Sequence, residues 1–179
     1  YTTFEWEFAG ANIEDGGQLE KDGSLTVNVK VTNTGDVAGK DVVQLYFTAP
    51  YTPGGIEKSY VELGDFAKTE LLAPGASQTL QLTVKTRDLA SYDYNDANGN
   101  GFYGYETEGG VYGIRLSRNA HDAVIYKEWS VPEEGYAYSE SESGNPVENR
   151  FEDAEMANTV YLSRADFEGT FPHEPTEQD

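Results

Sequence analysis

The sequence predicts an all-β protein, specifically an antiparallel β-sandwich. Three observations lead to this prediction: short segments in which apolar and polar residues alternate, turn residues between these segments, and the lack of a sustained 3.6-residue period. The clearest alternation covers residues 25–32, where Leu25, Val27, Val29 and Val31 are separated by polar residues. Because successive side chains of a strand point to opposite faces, this segment is typical of a strand with one face in the core and one in water.

Six further segments complete the predicted sandwich. Residues 41–49 are rather apolar on both faces, which is typical of a central strand. Leu80, Leu82 and Val84 alternate with polar residues, so Leu82, like Val29, is predicted to be buried. The seven predicted strands are 1–8, 25–32, 41–49, 60–68, 79–84, 112–116 and 125–131. About seven short strands in this space predict an immunoglobulin-like or fibronectin type III-like sandwich over residues 1–131.

The composition changes after Val131. Residues 132–158 are polar and acidic, without a period of two or of 3.6, so we expect an extended linker that lacks regular secondary structure. Residues 160–172 regain apolar character, and we expect their aromatic rings to be buried. These rings are Tyr161, Phe167 and Phe171. The sequence therefore predicts a C-terminal arm over 132–179, made of an acidic linker and a docking segment.

Charge and composition exclude several classes of function. Thirty-two acidic residues against twelve basic ones give a net charge of −20, which repels phosphates, so we expect neither nucleic acids nor membranes as partners. The absence of cysteine excludes disulfides and thiolate-ligated zinc. No apolar run approaches the ~18 residues of a membrane-spanning helix. We expect a soluble protein; no signal peptide is visible, and bacterial cytoplasmic and secreted locations both stay open.

Several short motifs are shared with a known family. Within the predicted sandwich they are YTTF at 1–4, VTNTG at 31–35, GKDVVQLY at 39–46, LGDFAKT at 63–69 and DLASYD at 88–93. In this order they resemble the fibronectin type III-like domain of glycoside hydrolase family 3 enzymes, such as β-glucosidases. NRFEDA at 149–154 and YLSRADFEGTFP at 161–172 are similar to the connector of rearranged members, in which the sandwich precedes the catalytic barrel. Phe167 stands where such connectors have Trp.

The resemblance implies a non-catalytic structural module of a larger hydrolase of O-glycosyl bonds. Such a module packs against the catalytic barrel and the α/β domain of its parent enzyme and positions them, so its relation to the carbohydrate substrate is indirect. The family's catalytic Asp lies in the barrel, and its acid/base residue usually lies in the α/β domain. Neither motif occurs in this sequence, so we expect no catalytic residue here.

The loop that begins at Asp96 matches the start of a calcium-binding loop. Asp96, Asn98 and Asn100 place oxygen-bearing side chains at positions 1, 3 and 5, and Gly101 follows at position 6. Alternate side chains can converge on a cation while glycine allows the sharp bend. Position 12, where a bidentate Glu belongs, is Thr107, flanked by two glutamates. Asn and Gly are also common in metal-free loops, so calcium and no cofactor at all both stay open.

Aromatic residues cluster around the same loop and are candidates for contact with carbohydrate. They lie within residues 92–105 and are Tyr94, Phe102, Tyr103 and Tyr105. Aromatic rings are equally common at contacts between domains, and the resemblance supplies a neighbouring domain. We therefore favour the structural module, with two alternatives: a carbohydrate-binding sandwich that uses loop 92–105, and a calcium-stabilised adhesion-type sandwich.

Overall fold

The computed structural model describes residues 1–150, 153 and 159–167. In this part of the chain ten strands and one short 3₁₀-helix are formed, and no helix is long and apolar enough to cross a membrane. The strands are β1 (Phe4–Ala11), β2 (Ser24–Asn33), β3 (Val42–Thr48), β4 (Glu62–Lys68), β5 (Ser77–Lys85), β6 (Ser91–Asp93), β7 (Gly104–Thr107), β8 (Gly110–Ser117), β9 (Ala123–Val131) and β10 (Tyr136–Tyr138). The 3₁₀-helix (Thr86–Leu89) follows β5.

Two antiparallel sheets make the sandwich. Their strand orders are β1-β2-β5 and β4-β3-β8-β9. The predicted sandwich of about seven antiparallel strands is confirmed, because each predicted strand overlaps one of these seven. Strand β3 pairs with β4 on one side and with β8 on the other, which agrees with its apolar character on both faces.

The core lies between the two sheets and is filled by the inward residues of the alternating segments. Val29 and Leu82 are both fully buried, as their alternation predicts. The largest buried side chains are Trp129 and Tyr112, which face each other across β8 and β9. Their polar atoms are paired: the indole nitrogen donates to the carbonyl of Ile13 at 3.2 Å, and the hydroxyl donates to that of Glu108 at 3.0 Å. Large aromatic rings are thus buried without an unpaired donor.

The expectation that residues 132–158 lack regular secondary structure is wrong at Tyr136–Tyr138. These residues form β10, which joins a third sheet of order β10-β7-β6. The Tyr136 and Tyr138 hydroxyls donate to the carbonyls of Leu19 and Lys21 at 3.0 and 3.1 Å. Tyr138 is almost fully buried, so its ring adds apolar area while its hydroxyl satisfies a distant carbonyl. After β10 the chain turns back on itself, and the amide of Val147 donates to the carbonyl of Ser139 at 2.9 Å.

The expectation of buried aromatic rings in the docking segment is also wrong where it can be examined. Tyr161 and Phe167 are 48% and 44% exposed, and Phe171 lies outside the described residues. The segment contacts the rest of the chain through the Tyr161 ring, which packs on Tyr94, and through polar groups. The Ser163 hydroxyl and the Arg164 amide both donate to the Glu57 carboxylate, at 2.9 and 2.7 Å.

Candidate functional site

The loop between β6 and β7 is shaped by carboxylates that accept hydrogen bonds from its backbone. Asp93 Oδ1 accepts from the amides of Asn95 and Ala97, at 3.1 and 3.0 Å. Asp96 Oδ1 accepts from the amide of Gly101 at 2.9 Å, which links positions 1 and 6 of the predicted calcium loop. Gly101 has φ +81°, so position 6 adopts the left-handed conformation that favours glycine. The loop therefore closes on itself as the sequence pattern indicates.

The side chains of Asn98 and Asn100 bind the carboxylate of Glu106, and their oxygens are occupied by backbone amides. Their side-chain amides donate to Glu106 Oε2 at 3.1 and 2.6 Å. Their side-chain oxygens accept from the backbone amides of Asn100 and Phe102, at 3.1 and 2.7 Å. The acid that belongs to this loop is thus Glu106, at position 11, and sequence reasoning missed it by placing that acid at position 12.

Asp93 and Glu106 are buried at this site, 1% and 6% exposed. Each carboxylate has one oxygen that accepts two hydrogen bonds and one buried oxygen, Asp93 Oδ2 or Glu106 Oε1, that accepts none within the described part of the chain. Burial raises the pKa of the Glu106 carboxyl, the bonds from Asn98 and Asn100 oppose this, and the charge of Asp93 adds to it. Sequence reasoning missed Asp93, although it ends the DLASYD motif.

The candidate aromatic residues do not form one stacking surface. Tyr94 packs on Tyr161 with ring centroids 4.9 Å apart, and Tyr105 packs edge-on against Tyr92 at 5.0 Å. Tyr103 is 60% exposed. Phe102 lies against Gly104, where an added Cβ would come within 2.9 Å of the ring. Two of the four rings therefore have aromatic partners.

Two clefts border these rings. One, of about 350 Å³, is lined by Tyr92, Tyr105 and residues 146–150. The other, of about 290 Å³, lies between residues 54–57, the Asp93 end of the loop, and residues 161–163. The two segments that follow the sandwich in the sequence thus form one wall of each cleft. Among the described residues, no three His, Asp or Glu side chains gather closely enough to form a metal site by themselves.

The outer faces of the two sandwich sheets differ in polarity. The β1-β2-β5 sheet is covered by polar side chains that pair across strands, such as Thr26 with Thr83 at 2.9 Å and Thr32 with Ser77 at 2.8 Å. The outer side of the β4-β3-β8-β9 sheet carries large apolar side chains that are 45% to 65% exposed. This apolar sheet face consists of Leu63, Phe66, Val111, Val124 and Tyr126. Exposed apolar groups on one sheet are typical of a surface that meets another protein surface.

Residues 41–120 match the family model of the fibronectin type III-like domain. This part of the sandwich is similar to a fibronectin type III-like domain. This agrees with the resemblance carried by the motifs between residues 1 and 93. The matched segment runs from the start of β3 through the loop after β8, and so includes both buried acids of the β6–β7 loop.

Proteins related to this fibronectin type III-like domain are β-glucosidases of glycoside hydrolase family 3. A β-glucosidase of Ruminococcus albus is 40% identical over 109 residues, which cover 61% of this chain and 10% of the relative. A β-glucosidase of Rhizobium radiobacter is 40% identical over 122 residues, or 68% of this chain and 13% of the relative. The chain therefore spans about a tenth of the length of the curated relatives it matches.

Solved structures give the same result. A β-glucosidase from Paenibacillus barengoltzii matches with a TM-score of 0.61 and 38% identity, over 70% of this chain and 13% of that one. β-Glucosidase 3B from Thermotoga neapolitana, solved in complex with glucose, matches with a TM-score of 0.59 and 35% identity, over 74% and 16%. The fibronectin type III-like domain thus corresponds to one part of larger enzymes, and it occurs there alongside catalytic domains.

Proposed function

We propose that this chain is a non-catalytic structural module of a family 3 glycoside hydrolase of the β-glucosidase type. It packs against the catalytic barrel and the α/β domain of the parent enzyme and holds them in position. The observation that carries the proposal is the coverage: the similarity takes in most of the sandwich, yet the sandwich accounts for only 10% to 16% of each relative.

The apolar sheet face is the surface that we assign to this packing. Burial of apolar surface favours association by about 25 cal/mol for each Å² that is removed from water. The five large apolar side chains on this face supply such a surface. The opposite outer face is polar and already paired across its strands, so it gains little from being covered. The apolar face therefore supports a neighbour on the β4-β3-β8-β9 side.

The arrangement of acids supports a non-catalytic role for the chain itself. A retaining glycosidase needs two carboxyls ~5–5.5 Å apart on either side of the scissile bond. Asp93 and Glu106 are the buried acids of the described residues, but Glu106 lines neither of the clefts beside the loop. A sugar in either cleft would therefore meet at most one of them. We expect the isolated chain not to hydrolyse aryl β-glucosides; turnover that survives repurification and is lost on substituting one of its acids would contradict this.

The packing role is tested in the full-length product of the gene. Replacing Phe66 and Tyr126 together by Ser is expected to lower the temperature at which β-glucosidase activity is lost by several degrees, because a contact between domains is weakened. The matched control replaces Asn28 and Gln81 by Ser on the polar outer face. Melting of the isolated chain with the same substitutions shows whether the sandwich itself is affected. If both double variants lose activity at the same temperature, the apolar sheet face is not the surface that packs against the catalytic domains.

A carbohydrate-binding role for Tyr94, Phe102, Tyr103 and Tyr105 is the alternative that the same chain can test. Stacking on a sugar needs an open ring face, and Tyr94 and Tyr105 already have aromatic neighbours. Titration calorimetry of the chain with short β-linked glucose oligomers is therefore expected to give no binding heat. Binding that disappears in Tyr103→Ala, the most exposed of the four rings, would favour the carbohydrate-binding sandwich instead.

A further inference from the structure

Asp93 and Glu106 lie on the same face of the β6–β7 pair. In this antiparallel register Asp93 is opposite Gly104, and Ser91 is opposite Glu106, so the two acids are diagonal neighbours. Diagonal residues of neighbouring strands are about 7–8 Å apart at the backbone, within reach of long side chains. Gly104, which lies between them in the register, is covered by the Phe102 ring, which closes this side of the loop to solvent.

In each of the two carboxylates, one oxygen accepts hydrogen bonds and the other does not. Asp93 Oδ1 accepts two backbone amides and Glu106 Oε2 accepts two side-chain amides, which fixes the orientation of both groups. Asp93 Oδ2 and Glu106 Oε1 are buried, and no donor in the described part of the chain reaches them. A buried anionic oxygen without a partner is costly, and two of them on one face also repel each other.

Within residues 1–150, 153 and 159–167, no basic side chain forms an ion pair with either acid. The six ion pairs of the described residues involve other acids, among them Glu108, which pairs with Lys58. Buried charges in proteins are generally paired or coordinate metals. A cation bound from solution balances two fixed carboxylates without protonating either of them.

We propose that Asp93 Oδ2 and Glu106 Oε1 bind one calcium ion on the inner side of the β6–β7 loop. Calcium fits because it takes oxygen ligands at 2.3–2.6 Å in flexible geometry and accepts amide and backbone carbonyl oxygens to complete its shell. Asn98 and Asn100 hold Glu106 Oε2 with their side-chain amides, so they orient the carboxylate and do not themselves bind the ion. The cleft that Asp93 lines gives the ion a route from solvent.

This site differs from the three ligands that the sequence pattern predicts. Asp96 Oδ1 is engaged with the Gly101 amide and shapes the bend, whereas the two bare oxygens belong to Asp93 and Glu106. The residues from Asp96 to Gly101 thus shape the loop, and the acids on either side of it, Asp93 and Glu106, provide the negative charge. The inference concerns only this chain and holds whether or not it is part of a larger enzyme.

The test is calcium-dependent melting of the 179-residue chain after treatment with EDTA, together with titration calorimetry. Calcium at about a hundredfold excess over its dissociation constant is expected to raise Tm by about 5 °C or more. The isosteric variants Asp93→Asn and Glu106→Gln are each expected to lose both the shift and the binding heat. Glu5→Gln and Asp36→Asn remove exposed acids elsewhere and are expected to keep both.

Three results would overturn the proposal. The first is no shift in Tm at millimolar calcium. The second is a calcium-dependent rise in Tm that is as large in Glu106→Gln and Asp93→Asn as in the unmodified chain. This would mean diffuse binding to a chain with net charge −20. The third is a rise in Tm with calcium but without binding heat, which would mean that no calcium ion is bound at a defined site.

Discussion

The indole nitrogen of Trp6 donates a hydrogen bond of 2.7 Å to Asp41 Oδ2. Trp6 is in β1 of one sheet, and Asp41 directly precedes β3 of the other, so the bond joins the two layers of the sandwich at one edge. Arg118 reinforces it: the guanidinium donates to the same oxygen at 3.0 Å and lies 4.6 Å from the Trp6 ring centroid. One carboxylate thus links residues from three distant parts of the chain.

Asp41→Ala is expected to lower the free energy of unfolding by about 1–3 kcal/mol, because it leaves the partly buried indole donor without its partner. Urea unfolding followed by Trp fluorescence measures this. Asp36→Ala, an exposed acid in the preceding turn, is the matched control and is expected to change stability by less than about 0.5 kcal/mol. Equal effects of the two substitutions would show that the link between the sheets has no net stabilising value.

Leu82→Ala is expected to cost about 2–5 kcal/mol, since it opens a cavity in the fully buried core between the two sheets. Its neighbour Gln81 is exposed on the same strand, so Gln81→Ala serves as the control and is expected to be nearly neutral. Thermal or denaturant unfolding of both variants gives the comparison. A cost below about 1 kcal/mol for Leu82→Ala would be incompatible with the close packing of this core.

The seven strands of the sandwich could be predicted because each is long enough to show its alternation and has one face in water. The third sheet could not, since β6, β7 and β10 span only three or four residues and a period of two is not recognisable there. What holds β10 in place is long-range: two hydroxyls reach carbonyls 117 positions earlier in the chain. No local pattern carries that information.

The same contrast holds for the candidate site. The loop from Asp96 to Gly101 was visible in the sequence because its residue types follow a local spacing. The importance of Asp93 was not, because it depends on burial and on the register between β6 and β7. Glu106 was noted only as a neighbour of Thr107 at position 12, because its contact with Asn98 and Asn100 is not visible in the spacing.

Lys58 and Glu108 form an ion pair in which the lysine side chain is buried. Glu108→Ala is expected to cost about 3–5 kcal/mol, because it leaves an ammonium group in the interior without a counter-charge. The double variant Lys58→Met, Glu108→Leu is expected to lose less than Glu108→Ala alone, since no uncompensated charge remains. Denaturant unfolding of Lys58→Met, Glu108→Leu and the double variant forms a cycle. A double variant that is less stable than both singles would show that the pair itself is strongly stabilising.

Glu106 gives the free energy of unfolding a defined dependence on pH in calcium-free buffer. Burial raises the pKa of this carboxyl above its ordinary value of 4.5. The native state therefore binds more protons than the unfolded state as the pH rises from 4.5 to the native pKa, so this group's contribution to stability falls across that interval and stays low above it. Glu106→Gln is expected to be more stable than the unmodified chain at pH 7, with a difference that shrinks towards pH 4. A less stable variant at pH 7 would show that the charged form is favoured in the native state.

The attachment of β10 to the carbonyls of Leu19 and Lys21 has a consequence for how this unit can be exchanged between genes. A crossover placed at Val131, where the alternating pattern stops, would separate β10 from its partner β7 and leave two backbone acceptors without their donors. A transplant that carries the chain through Val147 keeps every one of those bonds. The segment that can be transferred with its contacts intact is therefore longer than the sandwich, and it ends after the third sheet.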